Sequence, residues 1–417
     1  MATPSDRFRF FVTCARGTEG ALRRELVGLR IGSPKGDTGG VWFEGPIAMA
    51  MGVCLHARVA VRVLLEVATF ETADADSLYR GARGVAWTDW LTQSTTLAVH
   101  ANVRDNAALT HSGFAALKVK DAVVDAVRDK LGARPDVAPK DPDVSIALHV
   151  AGTRAGLFLD LAGEALHRRG YRVAMTDAPL KETLAAAVLS LGGVPLDRPF
   201  VDPLAGSGTL AIEQALAARG IAPGLRRKFG FQRWPRFAGE LQATWERLHA
   251  EATARAAAPP ADLPPIFASD VDRAAVDAAR RNATAARVAD AITFQVADVA
   301  ALAAPAGAPG TICTNPPYGE RMGGSDGNSE RAPGPSRDRH RSGEARVSST
   351  RDKDLAALYR RMAVAFARLP KWDVVVLSGN PLLSHEMGSK PRISHRLYNG
   401  PLEVRLLRWD AAGRRPA

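Results

Sequence analysis

Cysteine is scarce: Cys14, Cys54 and Cys313 are the only three in 417 residues. An odd number at wide spacing gives no disulfide framework and no zinc-ligand pattern, so a reducing cytoplasm and no bound metal are expected. Long apolar runs are missing as well. Nothing uninterrupted reaches the roughly 20 residues that cross a bilayer. Met1 to Gly17 lacks the apolar centre of a secretory signal, so no membrane is expected among the partners. Acid is in deficit: 44 Asp and Glu stand against 55 Lys and Arg, a formal net charge of +11. That excess favours a polyanionic partner, most simply nucleic acid, although an Arg-rich proteome gives the same balance. The hydrophobic share of 46% is ordinary for a soluble protein, and 417 residues suggest two or three domains.

The rhythm of the chain changes along its length. Residues 8–13 read as a strand, 19–29 as a helix, 41–43 as a strand, 47–56 as a helix and 58–69 as a half-buried strand. That order suggests a small α+β module. A second follows: a strand at 96–102, a helix at 114–131 with Val123, Val127 and Leu131 inward, and a hairpin formed by 144–150 and 157–161. From Pro179 onward strands alternate with helices. Helices are read at 181–191, 209–219, 236–258, 273–287 and 355–369, and strands at 200–201, 266–269, 292–296, 311–314 and 373–378. Such alternation predicts an α/β fold with a parallel sheet covered on both faces. Asn399-Gly400 marks an antiparallel hairpin at the end. Residues 323–353, rich in Gly, Ser, Pro and Arg, read as a disordered insertion, with an Arg-bearing arm that orders on RNA as the alternative.

Four constellations carry chemistry. Asp202-Pro203-Leu204-Ala205-Gly206-Ser207-Gly208-Thr209 joins a strand to a helix. Its glycines allow close backbone approach, and the helix start offers free amides to an anion. It lacks the Gly-x-Gly-x-x-Gly spacing of dinucleotide binders and the Gly-Lys-Thr of phosphate loops. A ligand bearing both carboxylate and ammonium, such as S-adenosylmethionine, fits better, with Asp202 facing the ammonium; a plain tight turn is the alternative. Asp270 closes the next strand, where its carboxylate can accept from ribose hydroxyls. Asp272 competes for that role but suits a helix N-cap. Asp298 closes the strand after that and can accept from an adenine amine, with Val299 adding a backbone contact. Helix capping is the bland reading of each acid.

The fourth constellation is Asn315-Pro316-Pro317-Tyr318, followed by Gly319-Glu320-Arg321. The Asn315 side-chain oxygen and the Pro316 carbonyl, stiffened by Pro317, form a fixed pair of acceptors for an exocyclic amine. Tyr318 can stack on the base that carries it. A proline-rich turn is the alternative. A fifth region, 223–237, interleaves Arg226, Arg227, Lys228, Arg233 and Arg236 with Phe229, Phe231, Trp234 and Phe237. It reads equally as an RNA-contacting loop or as buried aromatics with solvated arginines.

The chain resembles bacterial THUMP-domain RNA methyltransferases, specifically the class I enzymes that make N2-methylguanosine in 23S ribosomal RNA. The resemblance rests on Phe11-Val12-Thr13-Cys14-Ala15-Arg16-Gly17, on 110–125, on Leu166-His167-Arg168-Arg169-Gly170-Tyr171-Arg172, on Ala178-Pro179-Leu180-Lys181-Glu182-Thr183-Leu184-Ala185, and on the constellations above. It implies a ferredoxin-like domain over 1–70, a THUMP RNA-binding domain over 71–165, and over 166–417 a Rossmann-like methyltransferase domain with a mostly parallel seven-stranded sheet. It implies that Asp202, Pro203, Ala205, Gly206, Ser207 and Gly208 hold the methionine part of S-adenosylmethionine, Asp270 the ribose, and Asp298 with Val299 the adenine. Asn315, Pro316, Pro317 and Tyr318 would receive a guanine from 23S RNA or a pre-ribosomal particle. Lys118, Lys120, Arg168, Arg169 and Arg172 are the cations expected on RNA. The stretch after Arg321 departs from the family, where a shorter connection is expected. Some relatives carry a second methyltransferase after this one; with the chain ending at Ala417, one activity is implied. The alternatives are a transfer RNA guanine or adenine methyltransferase, a DNA amino-methyltransferase, and a non-catalytic RNA-binding assembly protein.

Overall fold

The computed structural model describes residues 7–176, 179–305, 307–319 and 341–411, with side chains from 353 onward in the last stretch. The chain divides into two compact units, 1–169 with 220–259, and 170–219 with 260–417.

The first unit is built on one mixed sheet. Its elements are β1 (Phe8–Thr13), α1 (Glu19–Gly28), β2 (Lys35–Asp37), β3 (Gly40–Gly45), α2 (Ile47–His56), β4 (Arg62–Glu71), α3 (Ala75–Arg83), β5 (Leu97–Arg104), α4 (Ser112–Leu131), β6 (Val144–Ala151) and β7 (Arg154–Asp160). The strand order is β2-β3-β1-β4-β7-β6-β5. The expected β6–β7 hairpin forms, with Leu148 opposite Leu157. The two α+β modules read from the sequence share this sheet, because β4 pairs antiparallel with β7 and sets Leu65 opposite Leu159. Only β5 and β6 run parallel. Phe10, Val12, Phe43, Val63 and Leu65 are buried on the face that packs against helices. In α4, Val123 and Val127 are fully buried, whereas Leu131 is 36% exposed: it is the last helical residue, beside the left-handed Gly132.

Residues 220–259 join this unit, although they lie in the stretch assigned from sequence to the third domain. Phe229, Phe231 and Trp234 are buried. Trp245 of α7 (Glu240–Ala257) lies with its ring centroid 5.1 Å from Phe231 and 5.4 Å from Phe229. The Arg227 guanidinium donates to the carbonyls of Glu164, Ala165 and Arg168 at 2.7–2.8 Å. Of the two readings of this basic-aromatic stretch, buried aromatics is the one the structure shows.

The second unit contains α5 (Glu182–Leu191), β8 (Phe200–Asp202), α6 (Thr209–Ala218), β9 (Ile266–Asp270), α8 (Arg273–Ala286), β10 (Ile292–Val296), β11 (Thr311–Thr314), α9 (Arg341–Ala367), β12 (Asp373–Ser378), α10 (Leu382–Glu386), β13 (Ile393–Asn399) and β14 (Leu402–Trp409). Its sheet runs β10-β9-β8-β11-β12-β14-β13. β14 alone runs against its neighbours, pairing antiparallel with both β12 and β13. Val374, Val375, Val376 and Leu377 are all buried, as a strand covered on both faces requires. α9 begins at Arg341, inside the 323–353 stretch read as disordered; 323–340 lies outside the described residues. Composition registers the Gly and Pro there but not the continuity with the apolar positions 355–369. Among the described residues, no helix is long and apolar enough to cross a membrane.

Candidate functional site

The chain leaves β8 toward β9 and β10 on one side, then returns to β11 and β12 on the other. At such a switch the loops part and leave a crevice outside the strands' carboxyl ends. A cleft of about 930 Å3 lies there, and its lining includes Asp202, Ala205, Gly206, Ser207, Asp270 and the whole of Asn315 to Tyr318. The glycine bend and the proline-tyrosine corner therefore open into one space.

The bend is shaped by backbone needs. Gly206 has φ 51° and Gly208 φ 84°, a region that costs other residues strain. A Cβ at Gly208 would also fall 2.9 Å from that of Ala279 in α8. Gly208 caps α6 without any side-chain hydrogen bond, leaving its first amides for a ligand. Gly208 and Pro203 are not among the lining residues.

Two side chains that sequence reasoning assigned elsewhere, or passed over, hold this bend. Arg172 donates to Glu182 Oε1 (2.9 Å), Ser207 Oγ (3.1 Å), Thr209 Oγ1 (3.2 Å) and the Leu180 carbonyl (2.8 Å). Asn282, fully buried, accepts from the amides of Val173 and Ala174 at 2.9 Å and donates to the carbonyls of Ala174 (2.9 Å) and Ser207 (3.1 Å). It ties the 173–174 strap to the bend, and Met175 and Thr176 beyond the strap line the cleft.

Asp202 is 1% exposed. Its Oδ1 accepts from Thr314 Oγ1 at 2.7 Å and from the Leu204 amide at 3.3 Å. Burial pushes its carboxyl up to about 7; the Thr314 and Leu204 hydrogen bonds oppose the shift and the nearby Asp270 charge adds to it. The site therefore favours a cation beside this group. Asp270 Oδ2 accepts from the Gly206 amide at 2.9 Å and Oδ1 from the Asp272 amide at 3.0 Å, which stitches the second strand end to the bend. Asp272 is the N-cap of α8, accepting from the Ala274 amide at 2.9 Å.

Asp298 and Val299 lie outside the lining. Val299 is buried at 3% exposure. Asp298 caps the short helical turn Val299–Ala301 through the Ala300 amide and pairs with Arg361 Nη1 of α9 at 2.7 Å. Arg361 itself lines the cleft. No local spacing links these residues, which stand 63 apart in the chain.

At the fourth strand end, the Tyr318 hydroxyl donates to Asn315 Oδ1. Tyr359, fully buried in α9, donates to the Pro317 carbonyl at 2.7 Å, and Asn380 Nδ2 to the Tyr318 carbonyl at 3.3 Å. Gly379 leaves room for the Tyr318 ring: a Cβ there would lie 2.9 Å from it. Burial raises both phenols, Tyr359 to about 12, so both are neutral donors at physiological pH. Asn399, in the hairpin turn that signalled only a fold feature, also lines the cleft.

The cations expected on RNA divide. Arg168 is exposed and pairs with Glu164, Lys120 pairs with Asp121, and Lys118 lies 5.7 Å from the Phe114 ring. Arg169 and Arg172 correct the expectation. Arg169 is 5% exposed and donates to the carbonyls of Leu166 and Arg58, and Arg172 serves the glycine bend. Sequence shows charge but not whether the chain folds its own carbonyls around it.

Among α/β sheets, this strand order with its single reversed strand defines a class I methyltransferase domain. Residues 169–331 match the family model described as RMKL-like, methyltransferase domain; 72–160 match the THUMP domain, and 9–64 the RlmL ferredoxin-like domain. These three matches make the chain similar to THUMP-domain class I methyltransferases. Ribosomal RNA large subunit methyltransferase K/L of Syntrophotalea carbinolica is 37% identical over 98% of this chain and 54% of that protein. The protein of the same name from Methylococcus capsulatus is 39% identical over 97% of this chain and 52% of its own length. The chain thus spans about half the length of the curated relatives it matches. The solved structure of SMU.472, complexed with SAH, superposes with TM-score 0.82 at 28% identity, covering 98% of this chain and 99% of that one.

Proposed function

We propose that the protein transfers a methyl group from S-adenosylmethionine to the exocyclic N2 of a guanine in 23S ribosomal RNA, acting in the cytoplasm. The observation that carries the reading is the shared cleft: a bend suited to a zwitterionic cofactor and a corner suited to an amine open into the same space. The residues present fit the cofactor. The uncapped start of α6 suits a carboxylate, Asp202 favours a neighbouring cation, and Asp270 stands where a ribose would reach. The solved relative complexed with SAH, the demethylated form of the cofactor, and the relatives named for large-subunit ribosomal RNA support donor and substrate class.

When bound, the cofactor supplies a methyl group already activated by a sulfonium. The protein's residues then have to position and desolvate the acceptor. Asn315 Oδ1 and the Pro316 carbonyl accept the two N–H groups of the amine. That favours a more tetrahedral nitrogen whose lone pair faces the donor. Tyr318 stacks on the base, which must first leave its own stack to reach the corner. Tyr359 and Asn380 fix the backbone that carries both acceptors. Asp298, held by Arg361, is the residue we assign to the adenine amine, with Val299 beside it, once that ion pair opens. In the first unit, the ferredoxin-like and THUMP parts bind the RNA, with Lys118, Lys120 and Arg168 on its phosphates.

Methyl transfer to unmodified 23S RNA by Asn315→Ala tests the mechanism. Loss of a preorganised polar contact at the reacting group predicts a fall in kcat of about 100-fold or more, with cofactor affinity unchanged by calorimetry. Undiminished transfer would rule the mechanism out.

A further inference from the structure

The cleft holds one polar group that no step above uses. Four of its lining residues carry buried polar side chains: Asp202, Ser207, Thr209 and Asn399. The first three are hydrogen-bonded within the fold, Asp202 to Thr314, and Ser207 and Thr209 to Arg172. Asn399 differs. It is 4% exposed, and among the described residues its carboxamide has no hydrogen-bond partner. Its polar atoms are nevertheless not sealed in, so what remains of their exposure lies at the cleft wall.

Buried polar groups are nearly always hydrogen-bonded, and one left unpaired costs stability. A role in the hairpin turn does not account for the exception. Asn suits tight turns because its side chain bonds neighbouring backbone, and here no such bond forms. The reversal of the chain falls to Gly400, at φ 64°. The topology does account for where the residue stands. β13 runs in the same direction as β12, because both are antiparallel to β14. Its last residue, Asn399, therefore comes to the same end of the sheet as Asp202, Asp270 and Thr314, which close the parallel strands β8, β9 and β11.

We propose that Asn399 reads the guanine edge beside the reacting amine. The proposal deepens the reading above and rests on it. Once Asn315 Oδ1 and the Pro316 carbonyl accept both N2 hydrogens, the next groups on the edge of the base are the N1–H donor and the O6 acceptor. A carboxamide is their complement: its oxygen accepts from N1–H and its nitrogen donates to O6, the paired arrangement by which planar side chains read a base edge. Adenine held by its own amine shows an N1 acceptor followed by a C–H, and cytosine shows two acceptors. Either base leaves the carboxamide oxygen unpaired in a buried site. A site built to hydrogen-bond one substrate rejects those that cannot return the bonds. Asn399 thus selects guanine among the three amine-bearing bases.

The test measures transfer of labelled methyl from S-adenosylmethionine to unmodified 23S RNA, with the product digested and its nucleosides identified by mass spectrometry. The wild-type protein should label guanosine at N2. Asn399→Ala and the near-isosteric Asn399→Leu should each lower kcat/KM for guanine by roughly 5- to 150-fold, the range for one lost paired base contact. The ratio of guanine to adenine label should fall as well. Both variants remove a polar group that is unpaired in the free protein. They should therefore unfold at the wild-type temperature or above it, and bind S-adenosylhomocysteine equally well by calorimetry. Undiminished guanine transfer by either variant would overturn the assignment while leaving the proposed reaction standing. A loss accompanied by a lower unfolding temperature or weaker S-adenosylhomocysteine binding would make Asn399 a structural residue and also overturn it. A wild-type protein that labels no guanine would overturn the assignment and the proposed reaction together.

Discussion

Asp202 carries its information in its environment. An exposed aspartate titrates near 3.9, and this one is pushed to about 7 by burial. Its folded value is raised, so its contribution to stability is intact below about pH 4 and is lost as pH climbs through about 7. The ligand-free protein should therefore lose stability across that window, by up to about 4 kcal/mol, because each tenfold change in proton affinity is worth about 1.36 kcal/mol. A cation placed beside the carboxylate pulls the value back down. Cofactor binding near neutrality should then release part of a proton, and affinity should rise by up to about tenfold per pH unit between 6 and 7. Calorimetry in two buffers of different ionisation enthalpy measures both effects, and Asp202→Asn should flatten them. Equal affinity at pH 6 and pH 8 would contradict this account. At this scale the sequence was legible wherever a short run carries the chemistry, as in Asp202 to Thr209 and Asn315 to Tyr318. It was not legible for Arg172 or Arg361, whose Thr209 and Asp298 partners lie far along the chain where no local pattern records them.

Elements were legible when their signal is local. Asn399-Gly400 announced the β13–β14 hairpin, and the alternation in 144–150 and 157–161 announced β6 and β7. The β4–β7 pairing that joins two modules into one sheet was hidden, because nothing in either strand names its neighbour across about ninety intervening residues. Asn282 shows how such long-range joins are held. It lies on α8, yet all four of its hydrogen bonds leave the helix for the 173–174 strap and the glycine bend. Asn282→Ala strands buried amides and carbonyls, which predicts a loss of about 2–4 kcal/mol in denaturant unfolding. It should also weaken cofactor binding, since both the strap and the bend border the cleft. Asn282→Asp keeps the acceptors and loses both donors, so it should fall between the two. A neutral Asn282→Ala would mean that strap and bend are positioned by something else.

On the scale of the whole molecule, two compact units each carry their own seven-stranded sheet. The sequence announced the change from α+β modules to alternating strands and helices near Pro179, but not the return of 220–259 to the first unit. That return depends on Phe229, Phe231 and Trp245 finding one another, and aromatics spaced along a basic loop look the same whether they meet bases or each other. The division has a thermodynamic consequence. Separate cores need not unfold together, and every residue proposed to touch the cofactor belongs to the second unit. Scanning calorimetry should show two transitions. S-adenosylhomocysteine at a hundred times its Kd should stabilise one of them by about 2.7 kcal/mol, a rise of roughly 5–11 °C for a unit of this size. The other transition, which contains the aromatic cluster around Trp245, should stay in place. Trp245→Ala should lower that second transition alone and leave the ligand shift intact. If both transitions moved together with ligand, or only one existed, the two units would be a single cooperative body and the cleft's energetics would extend to the first unit.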